Sequence, residues 1–205
     1  MLTDLPSSIL FIDGTNLDHR LSRGISDRDV DYEKLFEKLS RGTLLLRTHF
    51  CTADYVRTQD PHRNAMRQRQ LRTLNRLKQM ESVQIHKGRH VIRTVPCCHC
   101  RQPLDNHIEK GTDVRAATLC VHAACMKLAN RLILVANDND YLPAIELSTV
   151  VGAHVTLAYV AAEPSDHRYV VSMREAASAT LAIDAAFMEE MWLEKPPGDR
   201  AKKSR

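Results

Sequence analysis

Short apolar runs of β-type residues alternate with longer stretches of helical period along most of this chain, and that alternation constrains its fold more than any other feature. The clearest run, Arg131–Ala136 (RLILVA), reads as a buried strand and is followed at once by Asn137-Asp138-Asn139-Asp140. Ser8–Asp13 (SILFID), Leu44–Val56, Val83–His86, His90–Val95 and His154–Val160 read as further strands, with Lys87-Gly88-Arg89 as a turn. Helical spacing marks Asp31–Leu39, through Tyr32, Leu35, Phe36 and Leu39, and His62–Met80, through Met66, Leu71, Leu74, Leu77 and Met80. Gly111–Asn130 is a small-residue helix suited to close packing on a sheet. Leu142–Val151 is helical with Pro143 in its first turn, and Arg168–Leu193 reads mostly as helix. Such a pattern implies βαβ units, hence an α/β fold with a central, mostly parallel sheet and helices on both faces. Pro96–Glu109 has no apolar period and is predicted to be an inserted, cysteine-containing loop within one domain spanning residues 1–194.

Composition permits a single core, since 43% of the 205 residues are hydrophobic and 26% are charged. The first ten residues lack the basic and apolar regions of a secretory signal. No run approaches the roughly 18 apolar residues of a membrane helix. Six cysteines in such a chain read as reduced thiols or metal ligands, and a cytoplasmic location is expected. Residues 195–205, with Pro196-Pro197-Gly198 and a basic cluster, read as a disordered tail.

In a parallel α/β sheet, ligands bind beyond the carboxyl ends of the strands, and this chain puts acids there. Asp13 closes the first strand, Asp138 and Asp140 follow RLILVA, and Asp113 begins the small-residue helix. Each of them alone is also what a helix N-cap looks like. Four carboxylates on one rim would repel one another unless a cation held them. Mg²⁺ and Mn²⁺ prefer such oxygen donors, and a pair of ions about 4 Å apart could activate water for phosphodiester hydrolysis.

Three segments carry a resemblance: Phe11-Ile12-Asp13-Gly14-Thr15-Asn16, Glu109-Lys110-Gly111-Thr112-Asp113-Val114, and Val135-Ala136-Asn137-Asp138-Asn139-Asp140-Tyr141. In this order they resemble the motifs of the NYN family, PIN-like proteins, and above all its LabA-like branch. The family pattern is a strand ending in D-G-x-N, then K-G-x-D-V, then S-G-D-S-D-F. The resemblance implies a Rossmann-like PIN fold and an Mg²⁺- or Mn²⁺-dependent ribonuclease. It further implies that Asp13, Asp113, Asp138 and Asp140 are metal ligands, that Asn16 orients a ligand or phosphate, and that Lys110 meets a phosphate oxygen. PIN-like domains also pair, so a homodimer is compatible with it. Ala136-Asn137 and Asn139 depart from the pattern, replacing Ser-Gly and Ser, and so change the shape of the loop.

Two further features stand beside the acids. Between Arg57 and Arg93 there are ten Lys or Arg against two acids, and Arg67 and Arg72 belong to an arginine-rich helix that suits either an RNA backbone or plain solvation. With aromatic residues at 5%, little base stacking and weak sequence preference are expected from that helix. Cys97 and Cys100 form one C-x-x-C, and His107 is near enough in sequence to join a structural Zn²⁺ site; a reduced, redox-sensitive loop is the competing reading. Cys51, Cys120 and Cys125 read as core. The function classes left are a metal-dependent ribonuclease, a PIN-like module that binds RNA or protein without cutting, and an enzyme acting on a small molecule. Neither G-x-G-x-x-G nor G-x-x-x-x-G-K-[ST] occurs, and Asp13-Gly14-Thr15 lacks the second acid of a haloacid-dehalogenase-like phosphatase.

Overall fold

A computed structural model of the chain describes residues 5–26, 28–55, 61–96 and 98–193. Six strands form a parallel sheet: β1 (Ser7–Asp13), β2 (Leu44–Thr52), β3 (Val83–Lys87), β6 (Arg131–Val135), β7 (His154–Val160) and β8 (Ala179–Ile183). Their order is β3-β2-β1-β6-β7-β8. From β1 the chain therefore builds outward to β3, then returns to the other side of β1 and builds outward again to β8. The crevice between β1 and β6 is the switch point, where ligands bind in sheets of this kind.

Alternation along the strands explains why both faces are covered. Leu10, Ile12, Ile133 and Val135 face one core, together with residues of α1 (Gly14–Gly24), α2 (Tyr32–Leu39) and α3 (Pro61–Leu77). Ile9, Phe11, Leu132 and Leu134 face the other, under α4 (Thr112–Cys125) and α5 (Leu142–Val150). Ala116, Cys120, Ala123 and Ala124 form the buried face of α4, so the small residues do bring that helix close to the sheet. The C-terminal segment straps the first core: Asp31 donates its N–H to the Met191 carbonyl at 2.7 Å, and Leu193 donates to the Asp29 carbonyl at 2.9 Å. Among the described residues no helix is long and apolar enough to cross a membrane.

Three sequence expectations change. The insertion expected as a loop over 96–109 is for the most part a hairpin arm: β4 (Arg89–Pro96) pairs antiparallel with β5 (Pro103–Lys110) as a separate two-stranded sheet. Polar residues fill β5 because it pairs outside the main sheet, so no apolar period marks it. Arg168–Leu193, expected mostly as helix, divides into α6 (Pro164–Tyr169), α7 (Val171–Ala176), the edge strand β8 and α8 (Ala185–Met188). β8 is rich in alanine and only partly buried, which hides its strand signal. Cys51 and Cys120 are buried as expected, but Cys125 at the end of α4 is exposed. The tail over 195–205 lies outside the described residues.

Candidate active site

Asp13 is fixed by its place at the end of β1, where it also caps α1. Its Oδ1 accepts the N–H of Asn16 at 3.0 Å, and its Oδ2 accepts the O–H of Tyr141 at 2.9 Å. Only 6% of the residue is exposed. Burial disfavours its charge and is the main reason its carboxyl is pushed up to about 6; the Asn16 and Tyr141 donors pull it back, while the charges of Glu109 and Asp113 push it up further. The Tyr141 phenol is itself held far above its usual range by burial and by Asp13, so it stays protonated and donates. Tyr141→Phe is expected to raise the Asp13 carboxyl above about 6, because a donor to the charged form is lost. A ¹³C NMR titration of labelled aspartate reads this, and an unmoved midpoint would show that the hydroxyl does not support the carboxylate.

Asp113 stands in the first turn of α4, which opens on Gly111 at φ +88°, a left-handed angle that glycine adopts without penalty. That requirement accounts for Gly directly before Thr112-Asp113. Asp138 follows β6 and caps a single 3₁₀ turn (Asn139–Tyr141), its Oδ1 accepting the N–H of Asp140 at 3.2 Å. With Asn16, these three acids line one solvent-open cleft of about 410 Å³, joined by Thr15, His19, Tyr55, Glu109 and Thr112. Among the described residues, four carboxylates and no Lys or Arg line it.

The other expected site residues lie elsewhere. Asp140 is exposed and outside the cleft lining. Lys110 is exposed at the end of β5, next to Glu109. Arg72 pairs with Asp29 at 3.4 Å, and Arg67 is half-buried on α3. Arg69 on the same helix is a clamp, reaching Asp29 at 3.2 Å, Asp18 at 3.5 Å and the Arg28 carbonyl at 2.6 Å. Part of the arginine helix's charge is thus used inside the fold. Cys97 and the side chain of His107 lie outside the described residues; Cys100 is an exposed thiol, and Cys98 Sγ lies 3.0 Å from His99 Nδ1.

Sequence reasoning missed Glu109, Tyr141, His19 and Tyr55. Tyr141 had a signal, because it occupies the position of the final Phe in S-G-D-S-D-F and adds the hydroxyl that meets Asp13. Asn137 and Asn139, the departures from the pattern, are ties. Asn137 is 2% exposed; its Nδ2 donates to the Val160 carbonyl and its Oδ1 accepts the Val160 N–H, both at 2.8 Å, so the side chain extends the pairing with β7. Its own N–H donates to Asn16 Oδ1 at 3.2 Å, and Asn139 Nδ2 donates to the Tyr169 carbonyl at 2.9 Å.

A six-stranded parallel sheet with an acidic cleft at its switch point defines an α/β protein. The NYN domain profile matches residues 7–184; the chain belongs to the NYN family, and that membership makes it PIN-like. Among solved structures it is similar to a protein of unknown function from Vibrio parahaemolyticus RIMD 2210633. That similarity has a TM-score of 0.59 at 16% identity and covers 94% of this chain and 100% of that one, a likeness of fold. No curated protein matches the chain.

Proposed function

We propose that this protein hydrolyses RNA phosphodiesters with Mg²⁺ or Mn²⁺ held by Asp13, Asp113, Asp138 and Asp140. The observation that carries the proposal is the convergence of Asp13, Glu109, Asp113 and Asp138 on one open cleft at the switch point. Membership of a nuclease-like family supports the same reading.

The donor set fits hard cations, because every acidic group in the cleft offers carboxylate oxygen. The raised Asp13 carboxyl fits as well, since a bound cation would offset the burial and the repulsion that suppress its charge. Among the described residues no three Asp, Glu, His or Cys side chains stand close enough to hold an ion by themselves. Mg²⁺ is usually held by one or two carboxylates, with waters and substrate phosphate completing its shell. The chemistry it would supply when bound is activation of a water and stabilisation of charge on the leaving oxygen.

The protein's own residues have distinct tasks. Asn16 N–H and Tyr141 O–H keep the Asp13 carboxylate in one orientation. Asp113 and Asp138 reach the cleft from α4 and from the end of β6, and Asp140 acts through water. Asn16 has its carbonyl oxygen engaged by Asn137, which leaves its NH₂ to donate to a phosphate oxygen. Lys110 meets a phosphate beside the cleft, and Arg67 and Arg72 meet the strand further out, Arg72 by exchanging Asp29 for a phosphate. The exposed position of Asp140 outside the cleft favours a second reading, an RNA-binding module that does not cut.

Generic single-stranded RNA incubated in Mn²⁺, Mg²⁺ or EDTA, beside Asp13→Asn and Asp138→Asn, separates the two. Cleavage that needs the cation and is lost in both variants is expected. RNA retained without cleavage would establish the second reading, and cleavage undiminished in both variants would overturn the site.

A further inference from the structure

We propose that Tyr55 and His19 form a subsite for one unpaired nucleobase beside the acids, so that the substrate strand is single-stranded where it is cut; the proposal rests on the ribonuclease reading. Among the described residues lining the cleft, Tyr55 and His19 present rings. Both lie next to the carboxylates, and each links the cleft to a neighbouring depression. Tyr55 also lines a small cavity with Thr15, Asp18 and Gln70, and His19 also lines a groove of about 380 Å³ with Arg20 and Arg23.

The Tyr55 ring is held rather than loose. Its backbone N–H donates to Gln70 Oε1 at 2.8 Å, and the Gln70 amide in turn donates to the Ala53 carbonyl at 2.7 Å and to Thr52 Oγ1 at 3.1 Å. At the far end the phenol donates to Asp18, which Arg69 fixes at 3.5 Å. A ring tethered at both ends loses little freedom when a base stacks on it, which raises affinity. His19 stands one turn after Asn16 on α1 and is exposed in the cleft lining.

Charge explains why stacking is needed here. Among the described residues the cleft lining holds four carboxylates and no Lys or Arg, so without a bound cation this wall repels phosphate. Bases carry no such penalty and stack on aromatic rings irrespective of sequence. Bases paired within a duplex are stacked on each other and do not present a free face. The two arginines of the adjoining groove are balanced by Glu163 and Asp166, with Arg20 and Asp166 paired at 3.3 Å, so this arm does not supply the missing attraction.

The test is equilibrium binding, by fluorescence anisotropy, of a labelled 12-nucleotide single-stranded oligoadenylate. An abasic oligomer of the same length and a 12-base-pair RNA duplex serve as comparisons, all in Ca²⁺ in place of Mg²⁺. Tyr55→Ala is expected to weaken binding of the single strand about tenfold and to leave the abasic oligomer unchanged. Tyr55→Phe, which keeps the ring, is expected to stay within about threefold of the wild type, and exposed His19→Ala to weaken the single strand by about threefold. Unchanged single-strand binding in Tyr55→Ala overturns the subsite, and so does an equal loss with the abasic oligomer. If the wild type binds neither single strand nor duplex, both the subsite and the ribonuclease reading fall; if it binds them equally, the subsite alone does.

Discussion

Asp13→Asn is expected to slow RNA hydrolysis by about a thousandfold or more, while making the metal-free protein more stable. The loss follows from removing a charged oxygen ligand in a step where a cation supplies several kcal/mol of transition-state stabilisation, each ~1.4 kcal/mol being worth a factor of ten. The gain follows from burial. The folded carboxyl titrates at about 6 against an ordinary 3.8, so between those values the folded state binds more protons than the unfolded state. Stability contributed by this group therefore falls as pH rises through that window. Above it the penalty reaches about 3 kcal/mol, at ~1.4 kcal/mol per pKa unit. Asparagine is neutral throughout, but it cannot match both hydrogen bonds of the carboxylate, so a net gain of about 1–3 kcal/mol is expected near pH 7.5 and almost none near pH 4. Urea unfolding in EDTA at the two pH values measures it. A variant no more stable than the wild type near pH 7.5 would show that Asp13 is not held against its charge.

Asn137→Ala is expected to cost about 2–4 kcal/mol, since it leaves two buried backbone groups without partners at about 1–3 kcal/mol each. Those groups are the N–H and C=O of Val160, now bound at 2.8 Å by the Asn137 side chain. Val160 is 1% exposed, so water does not readily replace the lost partner. Asn137→Gly, which restores the residue of the family pattern, loses the same bonds and is not expected to recover the stability. Both variants free the chain between β6 and Asp138, so cation affinity is expected to fall with stability. Thermal melts with and without Mn²⁺ measure both effects, and a melting temperature unchanged from the wild type would contradict the role given to Asn137.

Legibility in the sequence followed burial. β1, β6 and β7 are covered on both faces and stand out as apolar runs, whereas β8, at the sheet's edge and half-buried, has no such run and falls inside a stretch of helical period. β5 has no apolar period, because it pairs with β4 alone outside the main sheet. At the site, Asp13 is readable because it ends an apolar strand, Asp138 because it follows another that lies beside the first, and Asp113 because it begins the small-residue helix. Glu109 is not, since it sits near the end of β5, a strand that pairs with β4 outside the main sheet and has no apolar period to mark it. Tyr55 depends on the Gln70 tether from a helix fifteen residues away, a contact with no local signature. The two asparagines illustrate the converse: they departed from the motif in sequence, yet in the fold they hold the motif's loop in place.

The most direct measurement of the acidic cleft as a cation site is titration of the purified, EDTA-treated protein with Mn²⁺, followed by the loss of the free-ion electron paramagnetic resonance signal. Wild-type protein is expected to remove Mn²⁺ from solution saturably, and Mg²⁺ to displace it. Asp13→Asn and Asp113→Asn, folded by circular dichroism, are expected to leave the ion free. A free-ion signal that is the same with wild type, with either variant and with buffer alone would contradict the cation site and, with it, the proposed hydrolysis.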